Sequence, residues 1–108
     1  MPTVELDGHE ITSWEAFHLA SRREFGFPDF YGDNMDAWID CLSGMRDDDG
    51  MSRFTLASDQ TLEICVRHAE GMQRRAPHVL QGLQEAVQEV NLRSQEAGQP
   101  PLLRLRLA

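Results

Sequence analysis

The sequence predicts an α/β domain in which a small, mainly parallel three-stranded sheet is packed with about four helices. Two observations carry this. Short segments of β-branched or alternating apolar residues are separated by longer segments whose apolar residues recur every three or four positions. The order is strand, helix, helix, strand or hairpin, helix, helix, strand, and helices lying between strands favour parallel pairing.

Residues 3–6 read as the first strand, with Val4 apolar, closed by the turn pair Asp7-Gly8. Thr12-x-x-Glu15 has the spacing of a capping box, with Thr12 as N-cap. The helix it opens carries Trp14 and Phe17 and runs to about residue 24, because Pro28 disfavours helix at Phe27. A second helix is expected from near Asp33 to Gly44, a favoured terminating residue. Asp47-Asp48-Asp49-Gly50 is a charged loop. Residues 53–57 and 62–67 are strand-like, with Ser58-Asp59-Gln60 as a turn between them. Residues 69–76 form a short helix ended by Pro77. After it Val79, Leu80, Leu83, Ala86, Val87 and Val90 give the strongest helical period. Gly98-Gln99-Pro100-Pro101 breaks that helix. Leu103, Leu105 and Leu107 then alternate with Arg104 and Arg106, a terminal strand with one buried face.

A chain of 108 residues suffices for one domain, residues 1–108, and not for two. Its 18 acidic and 10 basic side chains leave a net charge of -8. Such a surface repels nucleic acid and anionic membranes, and a basic protein is its natural complement. Cys41 and Cys65 are too few for a disulfide framework. The four histidines are scattered without ligand spacing, so neither a metal nor another cofactor is expected. The start Met1-Pro2-Thr3-Val4 lacks a signal-peptide pattern, and no apolar run approaches the roughly 20 residues of a membrane span. The expected compartment is the cytoplasm.

Acid is concentrated between Asp29 and Asp49, where seven aspartates face a single arginine, Arg46; this stretch holds six of the eight net negative charges. On a helical wheel Met35, Trp38, Ile39 and Leu42 form a core-facing stripe. Asp33, Asp36 and Asp40 fall opposite, with Gly44 in line at the helix end. Like charges four apart repel by about 0.2–0.5 kcal/mol. Asp40 also lies toward the helix C-terminus, where the dipole disfavours an anion by about 0.3–1 kcal/mol. A solvated polar face is the bland reading. The misplaced Asp40 and the neighbouring rings of Phe30 and Tyr31 favour a binding face instead.

Tyr31-Gly32-x-Asn34-x-Asp36-Ala37-x-x-Asp40-Cys41-Leu42-Ser43-Gly44 resembles the signature of the barstar family, the intracellular inhibitors of secreted bacterial ribonucleases. The resemblance runs back through Pro28 and His18 to the first strand; over the C-terminal half it rests on element order and the long helix. It implies a barstar-like fold, a monomer when free, and one-to-one binding of a basic secreted ribonuclease by the second helix and the loop before it. By position it implies that Asp40 is the principal acidic contact and Asp36 the second. Gly44 matches a backbone-contact position, and Glu85 a further acidic one. Phe30 and Ile39 stand where the family often has tyrosine and tryptophan, and Met45 where tryptophan is common. The charged loop is also longer than the family norm.

The chemistry agrees with that role. Carboxylates fixed on a rigid helix can take the place of RNA phosphates among the cations of a nuclease site. The expected contact set is Phe30, Tyr31, Asp33, Asn34, Asp36, Ile39, Asp40, Gly44, Met45 and Glu85. One rival is an immunity-like or regulatory protein for another basic partner. An enzyme using Asp36 and Asp40 as acid and base or as metal ligands is a second, disfavoured because no His or Lys stands at a defined spacing from them. A purely structural, self-associating domain is a third.

Overall fold

The computed structural model describes residues 1–47 and 51–108; Asp48, Asp49 and Gly50 of the expected charged loop lie outside the described residues. Three strands, β1 (Thr3–Asp7), β2 (Leu62–Arg67) and β3 (Leu103–Leu107), form one sheet in the order β1-β2-β3, both pairings parallel. Helices α1 (Trp14–Phe25) and α2 (Met35–Ser43) connect β1 to β2; α3 (Ala69–Arg75) and α4 (Pro77–Glu96) connect β2 to β3. The predicted architecture is thus the one observed. Central β2 buries Leu62, Ile64, Cys65 and Val66, as a strand covered on both faces must.

Helix ends follow local chemistry. The N-cap of α1 is Ser13, one residue beyond the expected Thr12: its hydroxyl accepts from Ala16 N at 3.1 Å, so the expected capping box is not the device used. Gly26 closes α1 in the left-handed conformation, φ 67°. Helix α2 starts two residues later than expected, because the Asn34 side chain accepts from Ala37 N at 2.8 Å and so fixes the first turn. Gly44 ends α2 as expected, but at φ -96° rather than left-handed. Pro77 opens α4, where its missing N–H costs nothing.

The segment 53–57 is not a strand. Both edges of β2 are taken by β1 and β3, leaving no ladder for a hairpin to join. Its backbone is held elsewhere: Arg53 N donates to Phe25 O at 2.8 Å and Leu56 N to Met45 O at 2.8 Å. The expected turn is present, with Gln60 N donating to Ala57 O. On β3 the alternation fades toward the end, since Leu103 is buried and Leu107 is 44% exposed.

Two polar side chains, Asn91 and Arg46, hold the C-terminal half together. Asn91 on α4 accepts from Leu102 N and Leu103 N and donates to Leu103 O, pinning the entry of β3 to the helix. Arg46 reaches across to Ser94 Oγ at 2.7 Å and to the carbonyls of Gln60, Pro100 and Pro101. Gly82 lets α4 approach α1: a Cβ there would stand 2.4 Å from the Trp14 ring. Among the described residues no helix is long and apolar enough to cross a membrane.

Candidate protein-binding face

The apolar stripe of α2 faces the core as its period required, with Met35 and Ile39 only half-buried. Trp38 and Leu42 are fully enclosed, and the Trp38 indole donates to Ser21 Oγ at 3.2 Å. Cys41 is buried as well. This seating fixes the rotation of the helix and turns Asp36 and Asp40 outward, where both are exposed. Ile39 lies at the margin, half-buried.

Helix α4 packs beside α2. Glu85, Glu89 and Arg93 follow at four-residue steps along one of its stripes. That row meets α2 at Arg93, whose Nη1 donates to Asp40 Oδ1 at 2.9 Å; Glu89 lies 3.6 Å from the same guanidinium. The hydrogen bond from Arg93 to Asp40 holds the guanidinium proton more tightly than usual, an effect that burial partly offsets. Arg93 thus sits against the carboxylate at the centre of the expected contact set, a pairing the sequence did not signal. Glu85 is exposed and accepts from Gln81.

The loop before α2 departs from the expected arrangement. Asp33 has φ 51° and lies outside the helix, so it does not extend the Asp36–Asp40 row; its carboxylate pairs with Arg22 of α1 at 2.7 Å. Asn34 is occupied as N-cap. Tyr31 is a core side chain, 4% exposed, packed on Phe27, with its hydroxyl 2.6 Å from His18 Nδ1. Burial lowers the His18 pKa, opposed by the nearby charge of Asp33. Burial likewise raises that of Tyr31. Met45, 2% exposed, and Gly44 are also buried. Tyr31 and Met45 are therefore supports beneath the face and not ring or thioether surface on it, because the core behind α2 claims them. Phe30, by contrast, is 73% exposed, the large apolar side chain that the loop presents to solvent.

Arg46, the one basic residue in the acidic stretch, is turned inward into its hydrogen bonds, and desolvation lowers its pKa. Its charge is withdrawn from the exposed aspartates. The structure thus brings Asp36, Asp40, Ile39, Arg93 and Glu89 together on the α2–α4 surface and places Phe30 on the loop leading into it.

The family model described as Barstar (barnase inhibitor) matches residues 1–106, and the chain belongs to that family. Its members are inhibitors and not enzymes. A Bacillus subtilis (strain 168) protein named "Putative ribonuclease inhibitor YrdF" is 38% identical over 47 residues, which cover 44% of this chain. The match spans 52% of that relative, about half its length.

Proposed function

We propose that the chain inhibits a basic secreted ribonuclease, one-to-one, by laying the exposed face of α2 and the loop before it over the nuclease active site. The observation that carries this is the pair Asp36 and Asp40 held outward on a helix whose opposite side is locked into the core. A nuclease site gathers Arg, Lys and His to bind phosphate, and fixed carboxylates accept the same charge-assisted hydrogen bonds. Phe30 supplies apolar surface at the edge, and Ile39 and Glu85 extend the contact. Family membership and the name of the Bacillus relative point the same way. On this reading the protein acts in the cytoplasm, shielding the cell from a nuclease made for export.

The test is inhibition of a panel of purified secreted microbial ribonucleases, with an RNA substrate, by the chain and its Asp40→Ala variant. Stoichiometric inhibition is expected, weakened about 100-fold or more in the variant, since an unmatched cation left in an interface costs about 3 kcal/mol or more. The Arg93 pair is surface-exposed and contributes at most about 1 kcal/mol, so the variant keeps its thermal stability. Inhibition by the parent that survives in the variant removes Asp40 from the interface. No inhibition of any nuclease turns the reading to another basic protein partner.

A further inference from the structure

We propose that Asp7, His9 and His68 form a site for a divalent transition-metal ion of the zinc type, at the carboxyl end of the sheet. One carboxylate oxygen and one nitrogen from each imidazole all lie within 4.8 Å of one another. The two histidines are far apart in sequence, but β1 and β2 are parallel with Asp7 opposite Arg67, so the residues that follow both strands emerge side by side.

The backbone is built for this approach. Gly8 N donates to Arg67 O at 2.7 Å, and a Cβ on Gly8 would stand 2.6 Å from His68 O. Asp7 Oδ1 accepts from His9 N at 2.9 Å, which sets the turn carrying His9. His68 is held at φ 55°, ψ 40°, a left-handed conformation that costs a non-glycine residue about 1 kcal/mol or more and recurs at ligand clamps.

The imidazoles stack with centroids 3.9 Å apart and planes 8° from parallel. In that pose they do not share an ion, because metal bonds lie in the ring plane. Both rings are exposed and turn about a soft torsion. Tetrahedral zinc, with bonds of about 2.0–2.1 Å, requires ligand atoms about 3.3 Å apart, so binding calls for one ring to turn out of the stack. Two imidazoles and one carboxylate select zinc, copper or nickel over magnesium or calcium, and leave a coordination position for water. The arginines of this cleft are offset in part: Arg67 lies 3.6 Å from Glu5 and Arg74 lies 3.9 Å from Glu70. A bound ion would clamp the β1–α1 turn to the β2–α3 junction. The site shares no residue with the α2 face and stands whether or not the inhibitor reading does.

Calorimetric titration of the full chain with zinc chloride, beside thermal unfolding with and without the ion, is the test. One ion per chain is expected, with a rise in Tm. His9→Gln and Asp7→Asn should each weaken uptake by about tenfold or more. His68→Gly is the decisive variant, because glycine relaxes the left-handed backbone and so keeps the fold while deleting a ligand. It should lose both the uptake and the zinc-dependent rise in Tm. Absence of stoichiometric uptake by the parent overturns the proposal, as does uptake undiminished in His68→Gly and His9→Gln.

Discussion

His18 shows how one residue links core and surface. It lies under the loop that carries Phe30 and Asp33, in contact with Tyr31. Burial holds its folded pKa below the ordinary value near 6.5. The folded state therefore resists the proton that the unfolded chain accepts. The resulting stability is present in full above about pH 6.5 and is lost as the pH falls from there through the lower folded value. Urea unfolding across that window should show a steeper loss for the parent than for His18→Asn, whose amide can still meet the Tyr31 hydroxyl. Equal slopes would show that His18 does not carry the effect. Asp40 is the other informative position: on sequence grounds it opposes the helix dipole, but Arg93 offsets that cost, so its placement is tolerated without a partner.

At the scale of elements, α2 is positioned from both ends. Asn34 fixes its start, and Arg46, just past its end, ties the following turn to α4 and to the segment leading into β3. Arg46→Met keeps the aliphatic stem but abandons Ser94 Oγ and three carbonyls. It should lower unfolding stability by about 2 kcal/mol, a discounted figure because several of these acceptors can turn to water. A shifted urea midpoint with an unchanged slope would confirm a native-state loss; a midpoint within error of the parent would refute the clamp.

Over the whole molecule the charge of -8 is unevenly spread. Arg46 is folded away from Asp36 and Asp40, so Asp36, together with Asp40 and its Arg93 pair, shapes the field that a basic partner meets first. Association with such a partner should slow by on the order of tenfold or more between about 0.01 M and about 1 M salt, as the Debye length shrinks from about 30 Å to about 3 Å. Stopped-flow association rates measure this directly, and a flat response would exclude electrostatic capture.

The sequence by itself determined the element order, the parallel sheet, and the α2 stripe of Met35, Trp38, Ile39 and Leu42 that turns Asp36 and Asp40 outward. These are local periodicities, and each is written in consecutive residues. It also carried the Tyr31–Gly44 signature. Only the tertiary structure decided what long-range packing decides. Tyr31 and Met45 went to the core, because the space behind α2 needed filling. Asp33 was drawn to Arg22, and residues 53–57 found both edges of β2 already taken. Arg93 met Asp40 and His9 met His68 because helix packing and parallel pairing join residues that no sequence spacing relates.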